Sequence, residues 1–174
     1  MNTGETAGRT LEEKVVELLS ERKFTVTTAE SCTAGLVAGR IMNVAGASNV
    51  YNEGYITYSN EAKQRILGVN AHTLEKYGAV SHETAYEMAK GAAKEAGADA
   101  ALSVTGIAGP GGRTPEKPVG LVYIGCYVKG NVRTEEFRFD GSRAENREAS
   151  VVNALKLLCE ELDKYDAPKE KEKE

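Results

Sequence analysis

Apolar positions along this chain recur at two periods, and the changes of period mark out its elements. Leu11, Val15, Leu18 and Leu19 repeat at helical spacing behind Thr10-x-x-Glu13, a capping box, and predict a first helix from about Leu11 to Arg22. Phe24 to Thr28 reads as a strand, followed by a small-residue turn and a second helix over Leu36 to Met42, with Ala38 and Gly39 suited to close packing on a sheet. The aromatic and β-branched stretch Val50 to Tyr58 predicts a second strand. A helix is expected after Ser59 or Asn60, which supply an N-cap, and short helical pieces follow. Ser81 caps a longer helix, His82 to about Glu95, with Ala85, Met88, Ala89 and Ala92 on one face. Ala100 to Val104 is a short apolar strand, and Gly120 to Val128 and Val132 to Phe139 form a hairpin at Lys129-Gly130-Asn131. Residues 143–163 make the last helix, with Val151, Leu155, Leu158 and Leu162 along one side. The order αβαβ(α)αβββα predicts an α/β protein, a single three-layer α/β/α domain over 10–163 with a mixed sheet.

Composition narrows the class. The 174 residues suffice for one domain with a proper core, and 41% hydrophobic with 28% charged residues is ordinary for a globular protein. Net charge is −4 and no block of lysine and arginine occurs, which argues against a nucleic-acid partner. No apolar run approaches the ~20 residues of a membrane span, and Met1 to Arg9 is too polar for a secretory signal, so a cytoplasmic protein with no membrane partner is expected. Residues 1–9 and 164–174 read as flexible tails. Cys32, Cys126 and Cys159 are an odd set without CxxC spacing and read as reduced thiols. Two histidines without ligand spacing give no basis for a metal site, and His82 beside Ser81 reads as a helix-start residue.

Candidate chemistry gathers in two loops. Thr28-Ala29-Glu30-Ser31-Cys32-Thr33-Ala34-Gly35 joins strand to helix, where open α/β folds keep their sites. Ser31 is a candidate nucleophile, and the amides of Thr33 to Gly35 are candidate oxyanion or anion donors. Ser31 needs a base. Lys63, one turn into a helix, sits where the dipole and burial would lower its pKa, and Tyr58 could relay a proton. Spacing by itself favours a blander reading, with Lys63 and Glu61 facing solvent and Tyr58 in core or rim. Cys32 is the rival nucleophile or a small buried hydrophobe. The second loop, Thr105 to Pro118, is long for a compact domain. Its glycines offer unobstructed amides, yet it is neither a Walker A motif nor GxGxxG. Arg143 and Arg147, one helical turn apart, could clamp a phosphate or pair with Glu145 or Glu148 at the surface.

Five segments, in order, resemble the CinA C-terminal domain family: Thr28 to Thr33, Tyr58 to Lys63, Gly78 to Ser81, Thr105 to Gly112 and Lys117 to Gly120. The resemblance covers roughly residues 10–163. It implies nicotinamide-nucleotide amidase activity, hydrolysis of the carboxamide of nicotinamide mononucleotide to nicotinate mononucleotide and ammonia, with a small-molecule nucleotide as substrate. It places the nucleophile at Ser31, its base at Lys63 and an assisting group at Tyr58, with Thr33, Gly35, Thr105, Gly106 and Arg143 toward the substrate. It implies no cofactor and no metal. Two departures stand out: Gly141-Ser142-Arg143 replaces the family's Gly-Asp-Arg, and Ala34 stands where many members have glycine. The family's frequent N-terminal partner domain is not found in this sequence, which suggests a stand-alone form. Oligomers are frequent in the family, so a homo-oligomer stays open. A catalytically silent nucleotide-binding or regulatory domain, a thiol amidase using Cys32 and a purely structural subunit are the alternatives.

Overall fold

A computed structural model describes residues 8–166. Helix α1 spans Leu11–Arg22 and begins with the expected capping box: the Thr10 hydroxyl accepts from the Glu13 amide, while the Glu13 carboxylate accepts from the Thr10 amide. Strand β1, Val26–Glu30, lies two residues later than its apolar pattern suggested, because Phe24 packs beneath helices before the ladder begins. Helix α2 spans Leu36–Met42 and strand β2 only Tyr55–Ile56. The long strand expected over 50–58 is thus mostly irregular. Val50 turns into the core, Tyr51 forms one isolated bridge to Val26, and the Thr27 hydroxyl bonds the Glu53 carbonyl. Helices α3 (Asn60–Leu67), α4 (Ala71–Tyr77) and α5 (His82–Ala96) follow. Strands β3 (Ala100–Gly106), β4 (Leu121–Val128) and β5 (Asn131–Arg138) precede α6 (Arg143–Asp166). Helix α6 runs three residues past the expected domain end; the rest of the C-terminal tail and residues 1–7 lie outside the described residues.

The sheet is mixed, in the order β2-β1-β3-β4-β5. The β2-β1-β3 half is parallel, and β4 and β5 run antiparallel beside it. Alternation along β3 feeds two cores. Leu102 and Val104 join a cluster with Val15 and Leu19 of α1, Ile41 of α2 and Leu155, Leu158 and Leu162 of α6. Ala101 faces the other way, with Ala29, against Leu67 of α3, Leu74 of α4 and Met88 and Ala92 of α5. Three layers result, as the order of elements predicts.

This topology positions the site. From β1 the chain crosses one face of the sheet through α2 to reach β2. It returns across the other face through α3, α4 and α5 to β3. Neighbouring connections diverge at the carboxyl end of β1 and leave a crevice there. Ser31 is the first residue beyond that end.

Candidate functional site

The Ser31 turn is fixed from several directions. The Ser31 amide donates to the Val104 carbonyl at 2.9 Å, extending the β1–β3 ladder by one residue, and the Ala34 amide closes the turn on the Ser31 carbonyl at 3.1 Å. Ala34 and Gly35 both adopt left-handed backbone, φ 47° and 95°. The buried Glu30 carboxylate receives the Val37 amide at 2.8 Å and the Ala38 amide at 3.1 Å, which occupies the start of α2 from within the chain. Arg147 of α6 donates through Nε to the Cys32 carbonyl at 2.9 Å and through Nη2 to the Thr33 carbonyl at 3.2 Å.

Lys63 arrives from α3. Ser59 caps that helix, accepting the Ala62 amide at 3.1 Å, and the buried stripe of the helix consists of Lys63 and Leu67, four residues apart. Lys63 is 1% exposed. Its Nζ lies 2.7 Å from the Thr57 carbonyl, 3.1 Å from Ser31 Oγ and 3.5 Å from the Tyr58 carbonyl. Burial among uncharged partners penalises the ammonium, so the Lys63 pKa is pulled from 10.5 down to about 8. Cys32 moves the other way: burial pushes its thiol up to about 11, which keeps it protonated near neutral pH.

Ser31 and Lys63 open into a cavity of about 250 Å³. Its walls come from Tyr58, from Ala79 and Val80 before α5, from the end of β3 and from the glycine loop that follows. The loop begins later than the sequence suggested, because Thr105 and Gly106 still pair with Tyr123 and Val122 of β4. Thr105 is buried, and its hydroxyl bonds the Ala79 carbonyl at 2.7 Å, so it braces one wall. At Gly106 a Cβ would meet the Leu121 carbonyl oxygen at 2.8 Å, which leaves no room for a larger residue. The α6 start anchors the loop: Asn146 Nδ2 donates to the Ala108 carbonyl at 3.0 Å and Arg143 Nη1 to the Gly109 carbonyl at 2.9 Å. Arg143 is exposed and lines the cavity.

Of the residues singled out in the sequence, Ser31, Lys63, Tyr58, Thr105, Gly106 and Arg143 line one cavity. Thr33 and Gly35 are not among its walls. Thr33 is fully buried, its hydroxyl without a partner among the described residues, and Gly35 caps α2 beside Ile56. Tyr58 is 63% exposed, and its hydroxyl makes no hydrogen bond among the described residues; its carbonyl is what reaches Lys63. Arg143 and Arg147 do not form a clamp, since Arg147 is spent on the Ser31 turn. The suggested surface partners are also engaged elsewhere, Glu148 with Arg40 and Glu145 with the Ser142 amide. His82 does open a helix, with Nδ1 2.8 Å from Thr134 Oγ1 and its ring edge-on to Tyr123. Glu30, Arg147 and Asn146 carry structural weight at the site that spacing did not reveal.

Fold and site together define an α/β/α protein with a buried serine and lysine meeting at the switch point of its sheet. The CinA C-terminal domain family matches residues 8–162, and the chain belongs to that family. A CinA-like protein of Kosmotoga olearia is 58% identical over 148 residues, which are 85% of this chain and 36% of that protein. A competence-damage inducible protein of Clostridium novyi is 54% identical over 153 residues, 88% of this chain and 37% of that protein. The chain therefore spans little more than a third of the length of these curated relatives. Among solved structures, a competence-damaged protein (CinA) superfamily protein from Klebsiella pneumoniae superposes with a TM-score of 0.86 at 36% identity, covering 88% of this chain and 96% of that one. A competence/damage inducible protein from Agrobacterium tumefaciens gives 0.83 at 43% identity, covering 91% and 99%. Among the described residues no helix is long and apolar enough to cross a membrane.

Proposed function

We propose that the chain hydrolyses the carboxamide of nicotinamide mononucleotide, with Ser31 as nucleophile and Lys63 as base. One observation carries this reading: the Lys63 Nζ to Ser31 Oγ approach of 3.1 Å, made by an amine whose pKa has been brought down to about 8. An amine so tuned is partly neutral near physiological pH and can take a hydroxyl proton. The cavity supports an anionic substrate, because the Arg143 guanidinium lines it and, among the described residues, no carboxylate does. Glu30 is adjacent, but its carboxylate is turned to α2.

In this mechanism neutral Lys63 accepts the Ser31 proton as Oγ bonds to the carboxamide carbon. Backbone amides of the Ser31 turn receive the oxyanion. The resulting ammonium gives its proton to the leaving nitrogen, the C–N bond breaks and ammonia departs. Water then attacks the ester on Ser31, Lys63 takes its proton, and collapse returns that proton to Oγ with release of the carboxylate. The Thr57 carbonyl holds Nζ in place throughout. Arg143 and the glycine-loop amides bind the phosphate, and the Tyr58 ring flanks the mouth. Ammonia release from nicotinamide mononucleotide tests the reading. Wild type should release it, and folded Ser31→Ala and Lys63→Ala should not. Nucleotide binding by wild type without ammonia release would instead make the chain a binding domain.

A further inference from the structure

We propose that Lys117 is a positioning residue for the substrate cavity: its ammonium bridges the glycine loop to the wall before α5, and so holds the cavity at the width that binds an anionic ligand. The inference rests on the Ser31–Lys63 reading of that cavity and deepens it.

The loop between β3 and β4 has one well-tied limb and one bare one. Its first limb is held at the root, where the Gly120 amide donates to the Ile107 carbonyl at 2.7 Å, and by α6 through Asn146 and Arg143. Residues 110–116 are all exposed, and among the described residues they make no hydrogen bond outside the loop. Lys117 supplies the missing tie. A tight turn presents it: the Thr114 amide donates to the Lys117 carbonyl at 2.9 Å, and the Thr114 hydroxyl accepts the Lys117 amide at 3.1 Å. Lys117 Nζ then donates to the Tyr77 carbonyl at 2.6 Å and to the Val80 carbonyl at 2.7 Å. The seat is fitted to the ammonium. Gly78, φ 77°, lies between those two residues in the chain, and a Cβ there would stand 3.0 Å from Nζ. Both ends of this bridge are cavity walls. Gly109, Gly111 and Gly112 line the cavity from the loop and Ala79 and Val80 from the segment before α5, while Lys117 itself stays outside the lining. That segment has further fastenings, since the Thr105 hydroxyl holds the Ala79 carbonyl and the Ser81 and Thr84 hydroxyls hold the Gly78 carbonyl. Loss of Lys117 therefore frees the loop and leaves the wall in place. Ser31 and Lys63 share no hydrogen bond with Lys117, so the reacting pair keeps its geometry. Bonds from an ammonium to carbonyls are stronger than neutral ones, and an apparent affinity falls in proportion to the population of the binding-competent loop.

The test compares wild type with Lys117→Met, which keeps the stem and removes the donors. Lys90→Met, at an exposed position of α5 outside the cavity lining, controls for the lost charge. Trypsin does not cut between Lys117 and Pro118, so the substitution removes no cleavage site, and the exposed Arg113–Thr114 bond reports on the bare limb. Nicking at that bond, followed by intact mass, should speed up by about 10-fold or more in Lys117→Met as the open loop becomes populated. KM for nicotinamide mononucleotide should rise by about 10-fold while kcat stays within about twofold. Lys90→Met should match wild type in both readouts. Lys117→Ala serves if Lys117→Met does not fold. Nicking of the folded variant at the wild-type rate, an unchanged KM, or a kcat that falls with KM held overturns the inference. If wild type releases no ammonia, the substrate reading fails and calorimetry with inorganic phosphate decides. A Kd about 10-fold weaker in Lys117→Met than in wild type then supports the bridge, and equal affinities, or no binding to wild type, overturn it.

Discussion

Replacing Lys63 by methionine should make this protein more stable at neutral pH while removing its proposed base. Lys63 is 1% exposed, and folding pulls its pKa from 10.5 to about 8. At pH 7 the unfolded lysine is fully charged, so burial of that charge opposes folding by about 3 kcal/mol. Methionine keeps most of the aliphatic packing but leaves the Thr57 carbonyl without its 2.7 Å donor, a loss of about 1 kcal/mol. The net gain for Lys63→Met is then about 2 kcal/mol at pH 7, read as a rise in Tm of about 4–8 °C for a domain of this size. Its sign depends on pH. Between pH 8 and 10.5 the unfolded state holds more protons than the native state, so wild-type stability from this group rises with pH. The advantage of Lys63→Met should shrink through that window and reverse to a deficit of about 1 kcal/mol above it. Urea unfolding of both proteins from pH 7 to 10 measures the difference, and other titrating groups cancel in it. A variant less stable than wild type at pH 7, with a difference flat in pH, would refute a lysine whose pKa is lowered by burial.

The same pKa predicts a rate profile: kcat/KM for ammonia release should climb about tenfold per pH unit below about 8 and level off above it. A flat profile from pH 6 to 9 would contradict a lysine base. Ala34 is exposed with φ 47°, a conformation that an alanine adopts at a cost of about 1 kcal/mol, so Ala34→Gly should raise stability by about that amount in thermal unfolding. Cys32→Ala should keep ammonia release within a few-fold of wild type, since burial holds the thiol protonated; loss of turnover in the folded variant would revive a thiol nucleophile.

The three layers were legible because apolar periods of 3.6 and 2 survive in α1, α5, α6 and the β4–β5 hairpin. The 50–58 segment misled for a physical reason. Its aromatic and β-branched residues satisfy strand propensity, but Val50 and Tyr51 are used for packing and a single bridge, and only Tyr55 and Ile56 pair with β1. Ser31 was readable from its place after a strand. Lys63 carried an unused signal: it shares the buried stripe of α3 with Leu67, and a lysine on an apolar stripe is a lysine at work or in trouble. Arg147 could not be assigned. Its spacing from Arg143 is that of a clamp, yet one arginine serves the glycine loop and the other the Ser31 turn, a division set by tertiary placement of two loops over the α6 start. Ala34 stood out in the sequence only as a departure from the family's glycine; its physical meaning needed the structure, in which the chain turns left-handed at Ala34 and Gly35 to enter α2 at Leu36.

The central claim is that Ser31 becomes acylated during turnover. Wild type mixed with nicotinamide mononucleotide and quenched in acid should carry a nicotinyl-nucleotide adduct on the peptide containing Ser31, and Ser31→Ala should carry none and release no ammonia. Ammonia release persisting in folded Ser31→Ala would contradict the account.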